Sequence, residues 1–258
     1  MAEPELPDPI PAATLVLFRA GEGGAGDPRS ELLFVERAAA MAFAGGALVF
    51  PGGRIDAADE ALSLRDLPGD PHGAARIAAI REMIEEAGIA IGLTPLPDPA
   101  TLGAMRAALH DGRPFAEVID AHALSLAPDA LVPFARWCPR HANMRIFDTM
   151  FFLATLPAGA AEPAVDGTEN VRAFWAGAQA VLDDADAGRA TIIFPTRRNL
   201  ERLATYADFA DAVADARHHG TPMITPWVET RGDHDYLCIP ADAGYPVTAE
   251  ALDGAKRG

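Results

Sequence analysis

At 258 residues, half of them apolar, the chain can bury a substantial core as one large domain or two small ones. Its formal charge of −16 and its single lysine, Lys256, exclude a general grip on nucleic acid, a catalytic lysine and a Walker-type phosphate loop. A small anionic substrate is not excluded, because a bound cation inverts the local field.

The first eleven residues, MAEPELPDPIP, lack the basic and apolar regions of a secretory signal and read as a tail. Residues 13–20 and 30–38 read as two strands joined by the Gly-rich loop GEGGAGDP. A third strand, Ala47 to Phe50, runs into Pro51-Gly52-Gly53, which must turn or loop. Residues 54–70 are polar and turn-rich. A helix follows, with Asp70 suited to the N-cap, Pro71 to the first position and Gly88 to the stop. Within it Ile77, Ile80, Ile84 and Ala87 form one apolar stripe. Beyond the apolar Ile89 to Leu93, helices are expected at 100–111 and 114–125, then strands at 131–138 and 145–156. A strand from Val171 to Trp175 precedes helices near 177–187, 197–207 and 208–218, and a Pro- and Asp-containing tail. The apolar run from Met150 to Ala161 is too short to cross a bilayer. Two distant cysteines, Cys138 and Cys238, fit a reducing, cytoplasmic compartment, and the terminal AKRG is not a peroxisomal address. Adjacent strands mixed with helices suggest an α/β sandwich with a mixed sheet.

The helix ends Arg81-Glu82-Met83-Ile84-Glu85-Glu86-Ala87-Gly88-Ile89. At helical spacing Glu82, Glu85 and Glu86 share one sector opposite the isoleucines. Acids so placed repel one another and lie at the end of the helix where the dipole disfavours them. A hard divalent cation with oxygen ligands relieves both penalties. The alternative is an ordinary solvated face balanced by Arg76 and Arg81. Upstream, Phe50-Pro51-Gly52-Gly53 lets the backbone approach a ligand closely, so glycine loop and acidic face together suggest a magnesium site.

These residues resemble the Nudix box, G-x5-E-x7-R-E-U-x-E-E-x-G-U, with U aliphatic. REMIEEAGI matches its second half at every defined position, and Gly53 fits its opening glycine. The resemblance implies a Nudix-like α/β/α sandwich with a mixed β-sheet and extra helices over residues 12–220. Insertions would fall at 54–70 and 100–125, and a tail at 221–258. It implies Mg2+ or Mn2+ held by Glu85 and Glu86, with Glu82 a further ligand or the general base. Arg81 would orient the carboxylates, and the Gly53 carbonyl would complete the ligand set. The sequence departs from the pattern in two ways. Gly53 precedes Arg81 by 28 residues where 14 are needed, and the position of the first box glutamate holds Gly73. Asp56, Asp59 and Asp70 are the candidate substitutes.

A branch similar to the mitochondrial and peroxisomal coenzyme A diphosphatases carries such an insertion. It has a VFPGG strand with D-x-x-D (Val49 to Gly53, then Asp56 and Asp59), a segment like Arg145-Ile146-Phe147-Asp148-Thr149-Met150-Phe151-Phe152, and a helix opened by Pro-Thr (Pro195-Thr196). A related coenzyme A signature is kept at Leu33, Arg37, Gly46 and Phe50. Its second arginine is Ala42, and Val35 and Ala38 replace its Thr and Ser. Alanine cannot stand in for an arginine fork on phosphate.

Candidate substrate contacts are Arg37, Gly52, Arg197 and Arg198. The two last, in a helix's first turn, suit an anion, although pairing with Glu201 is the simpler expectation. Glu169 is a candidate extra acid or base. Asp148 reads as a structural acid within its strand, and His218-His219 and Asp233-His234-Asp235 as exposed loops. The implied activity is hydrolysis of a diphosphate linkage between a nucleoside and another moiety, such as coenzyme A or an acyl derivative. ADP-ribose, NADH or a nucleotide sugar is the alternative substrate, and a non-catalytic ligand-sensing module the alternative class. Expected partners are small molecules, neither nucleic acid nor membrane, with a homodimer left open.

Overall fold

The computed structural model describes residues 6–20, 30–40, 44–140, 145–165, 167 and 169–252. The Gly-rich loop after the first strand, Ala42 and Lys256 lie outside them. Strand β1, Ile10–Arg19, runs through the middle of the sheet. Its alternation sends Ala13, Leu15 and Leu17 to one face, and Val16 and Phe18 to the other. Parallel to it lies β8, Phe147–Thr155, in register from Ile10 opposite Phe147 to Phe18 opposite Thr155. On the other edge β1 pairs antiparallel with β2, Glu31–Arg37, and with the short β4, Gly52–Arg54. Strands β3, Leu48–Val49, and β9, Asn170–Ala176, flank β2. Strand β7, Val132–Trp137, pairs antiparallel with β8 and carries β10, Met223–Ile224, parallel at its edge. A separate two-stranded ribbon joins β5, Leu93–Thr94, to β6, Ser125–Leu126.

Helices cover both faces of the mixed sheet. One layer holds α1, Ala57–Asp66, α2, Gly73–Glu82, α3, Pro99–His110, and α4, Phe115–Ala121. The other holds α5, Ala178–Asp186, α6, Phe194–Leu203, and α7, Phe209–His219. This is the α/β/α sandwich expected from the sequence, and Ile77, Ile80, Ile84 and Ala87 are fully buried against the sheet as their spacing requires.

Three local expectations need correction. Residues 54–70, read as turns, contain α1. Asp59 Oδ2 accepts from Asp56 N–H at 2.9 Å, an acidic version of the capping box that starts the helix. Helix α2 begins after His72 rather than at Asp70, because the Asp70 carboxylate is taken by His72 N–H at 2.9 Å and by Arg76 at 3.0 Å. Residues after Thr221 form β10 and a three-stranded antiparallel sheet of β11, Trp227–Arg231, β12, His234–Cys238, and β13, Ala249–Ala251.

That last segment is tied into the core by Tyr245, whose hydroxyl accepts from Trp137 Nε1 at 2.9 Å and donates to Asn199 Oδ1 at 2.7 Å. Tyr245→Phe leaves both groups buried and unpaired, at a cost of about 1–3 kcal/mol. Urea unfolding followed by tryptophan fluorescence should show an earlier, single transition. An unchanged midpoint would mean that the segment is not part of the cooperative core.

Candidate metal and phosphate site

Helix α2 widens at its end into a π-turn, Met83–Ala87, which Gly88 stops in the left-handed conformation at φ 65°. The widening gives Glu85 and Glu86 carbonyls that the helix itself leaves open. Helix α3 supplies the donors. Arg106 Nε donates to the Glu85 carbonyl at 2.9 Å, Arg106 Nη2 lies 3.5 Å from the Glu86 carbonyl, and His110 Nε2 lies 3.3 Å from that of Glu85. A guanidinium at this end also offsets the helix dipole. No motif in the sequence singles out Arg106.

Arg81 organises the acidic face. Its guanidinium donates to Asp59 Oδ1 at 3.2 Å and Oδ2 at 2.9 Å, to the Arg54 carbonyl at 2.9 Å, and to Glu82 Oε1 at 2.8 Å. Glu85 Oε1 lies 3.4 Å away. Among the three aspartates considered for the missing box glutamate, Asp59 is the buried partner of Arg81, at 1 % exposure. Asp56 lies 3.7 Å from Arg81 and is exposed, and Asp70 pairs with Arg76. Position 73 faces α1: a Cβ there would stand 2.2 Å from Ser63 Oγ, which would have to rotate away.

The glycine turn meets the helix at two points. Gly52 N–H donates to Glu86 Oε2 at 2.9 Å. Gly53 lies so close to Glu82 that a Cβ would be 2.1 Å from Oε1 and would displace the carboxylate, whereas at Gly52 a Cβ would meet the Ala13 carbonyl oxygen at 2.3 Å, where only glycine fits. Pro51 bends the chain, but Gly52 and Gly53 then belong to β4, a strand rather than the expected loop. Burial pushes the Glu82 carboxyl up to about 8, against the pull of Arg81 and with the repulsion of Glu86 and Glu85. Glu86 is pushed up to about 7, again by burial first, against hydrogen bonds from Gly52 and Asn170 and the attraction of Arg37. Glu169, exposed in the bend before β9, adds repulsion to Glu86.

Glu82, Glu85, Glu86, Arg81, Gly52, Gly53, Arg37 and Glu169 are thus brought to one place. Arg197 and Arg198 are not joined to it by any ion pair or hydrogen bond among the described residues. They sit on α6 in the opposite layer, where Arg197 is paired with Asp186 and lies 3.8 Å from Glu201. Arg198 is held by Glu201 at 2.8 Å and Glu250 at 3.0 Å. Asp148 forms a two-pronged pair with Arg136, at 2.8 and 2.6 Å, a strand-to-strand tie. Both cysteines are buried free thiols. No three His, Cys, Asp or Glu side chains among the described residues already converge as a metal cage.

A sandwich of this topology with a split loop–helix–loop bearing R-E-x-x-E-E is the arrangement that the Nudix resemblance implies. No protein-family model matches the chain. It is 26 % identical over 300 aligned positions to the acyl-coenzyme A diphosphatase NUDT19 of Gallus gallus, covering 91 % of this chain and 79 % of that protein. A crystal structure of a Nudix hydrolase from Alicyclobacillus acidocaldarius superposes with a TM-score of 0.68 at 27 % identity, covering 80 % of this chain and 96 % of that one. Box, fold and these relatives support the resemblance to the Nudix hydrolases, including the branch of the coenzyme A diphosphatases.

Both Glu82 and Glu86 titrate above the ordinary glutamate value of 4.5, to about 8 and about 7. Their contribution to stability is therefore complete at low pH and lost as pH rises through those values. In chelator, the unfolding temperature should fall from pH 5.5 to pH 8.5, and Glu82→Gln should flatten the slope. A slope that the variant leaves unchanged would place the titration elsewhere.

Proposed function

We propose that the chain is a metal-dependent diphosphatase acting on a nucleoside diphosphate linked to another moiety, with coenzyme A or acyl-coenzyme A as the preferred substrate class. The observation that carries this reading is the docking of the R-E-x-x-E-E turn on Gly52 and Gly53, with Glu86 on the Gly52 amide and Glu82 against Gly53. The donor set fits magnesium or manganese. All its atoms are oxygens, and two of the carboxyls are driven toward neutrality by burial first, with repulsion from Glu86 and Glu85 at Glu82 and from Glu169 at Glu86, which a hard cation reverses.

Glu85 and Glu86, with Glu82 and the Gly53 carbonyl, would hold the ion. When bound, it would supply neutralisation of the diphosphate oxygens and a more acidic attacking water. Arg81 fixes Glu82 and Glu85 from one side, and Arg106 holds the backbone beneath Glu85 and Glu86 from the other. Arg37 takes a phosphate oxygen, because its Nε is buried without a partner among the described residues and its charge already faces Glu86. Glu82 or Glu169 accepts the proton of the attacking water. The exposure of Glu169 favours it, since Glu82 is engaged by Arg81. The overall reaction adds water across the P–O–P bond. From coenzyme A it yields adenosine 3′,5′-bisphosphate and phosphopantetheine.

The similarity to an acyl-coenzyme A diphosphatase supports this substrate class. The loss of the second signature arginine at Ala42 is the reason to test ADP-ribose, NADH and a nucleotide sugar beside it. A purely sensing module is the less favoured reading, because Arg81 is held by Asp59 and the acidic turn stays organised although Gly73 stands at the box glutamate's position. No helix among the described residues is long and apolar enough to cross a membrane.

Turnover of these compounds with and without magnesium, read by mass spectrometry of both products, tests the proposal. Coenzyme A compounds should be cleaved at the diphosphate only with the metal, and Glu86→Gln should lower turnover by about 100-fold or more. Equal rates for Glu86→Gln and the unaltered protein would remove the box from the chemistry.

A further inference from the structure

Asn170 opens β9 and is 2 % exposed. Pairing of β2 with β9 runs from Leu32 opposite Ala176 to Glu36 opposite Arg172, then skips Val171, so that Arg37 faces Asn170. One extra residue in a strand reverses the side-chain parity beyond it. Without the bulge Val171 would stand beside Arg37. With it, Val171 is 51 % exposed, and Asn170 joins Arg37 on the sheet face that carries the acidic turn.

The Asn170 side chain hydrogen-bonds Glu86. That bond favours the charged carboxylate and the unpartnered atom is Oδ1, so the amide nitrogen is the donor. Among the described residues Asn170 Oδ1 has no partner, nor does Arg37 Nε across the strand pair. A buried acceptor and a buried donor, adjacent yet not satisfying each other, are rarely left so in a native interior. Their complement is an occupant carrying both an anionic oxygen and an O–H donor. A diphosphate beside a hydrated cation has both.

We propose that Asn170 is a positioning residue, its amide nitrogen fixing the Glu86 carboxylate while Oδ1 accepts a hydrogen bond from a water of the cation's shell. One side chain thereby couples a carboxylate ligand to the hydration of the ion, and the bulge at Val171 puts it there. The inference rests on Glu86 being a cation ligand.

Titration with Mn2+ alone, followed by the spin-resonance signal of the free ion, tests it on the full chain, with thermal unfolding in parallel. Asn170→Val keeps a strand-forming side chain of similar size, and Asn170→Ala guards against misfit of the first variant. Both should bind Mn2+ about 10- to 100-fold more weakly, with little change in unfolding temperature. Adding Asn170→Val to Glu86→Gln should weaken binding no further, because the two act as one unit. Unchanged Mn2+ affinity in both Asn170 variants, with Glu86→Gln weakened, overturns the role of Asn170 and leaves the metal site standing. Unchanged affinity in Glu86→Gln overturns the metal reading itself.

Discussion

The guanidinium of Arg81 ties three stretches of chain that are distant in sequence. It holds Asp59 of α1, the Arg54 carbonyl at the end of β4, and the acids of its own turn, Glu82 and Glu85. The arrangement needs a planar fork, since several acceptors are met in fixed directions and a lysine would offer one point charge. Burying the Asp59 carboxylate is tolerable only because both its oxygens are occupied by this one cation. The same carboxylate also receives the Asp56 amide, so that the start of α1 and the orientation of the acidic turn are fixed by one side chain.

Around that anchor the acidic face is held in a state of unfavourable charge. Burial and proximity raise Glu82 and Glu86, and the helix dipole opposes negative charge where they sit. The molecule tolerates this by supporting the backbone as well as by pairing Glu82 and Glu85 with Arg81. Arg106 and His110 of α3 meet the open carbonyls of the π-turn, and Gly52 reaches Glu86 from β4. A face preorganised in this way is suited to a cation, because little rearrangement accompanies binding.

Much of the architecture could be read from residue patterns. The isoleucine stripe, the two-residue alternation of β1 and the acidic spacing each reflect a periodicity that survives folding. The fate of residues 54–70 was harder to see, because a polar helix with the single buried leucine Leu62 leaves a weak apolar stripe. Its start was nonetheless written in Asp56 and Asp59. The N-terminal end of α2 was misplaced since Asp70 and Pro71 carry cap chemistry but the turn spends Asp70 on His72 and Arg76. Asn170 and Arg106 left no local trace. One acts through a shift of strand register and the other through helix packing, and both are tertiary facts. The pairing of Arg197 and Arg198 with Glu201 was legible from helical spacing, but the second partner of Arg198, Glu250, lies in β13, far along the chain.

The parallel alignment of β1 with β8 couples residues 10–19 to residues 147–155. Parallel neighbours cannot be closed by a hairpin, so the whole intervening chain, with the glycine turn and acidic helix inside it, must be in place first. On a ribosome the middle of the sheet therefore waits for β8, and Asn170 emerges later still. Such long loop closures slow folding and expose unpaired strand edges in the interim. The acidic face is consequently completed only once β9 has been made, with α5 to α7 and β10 to β13 still to follow.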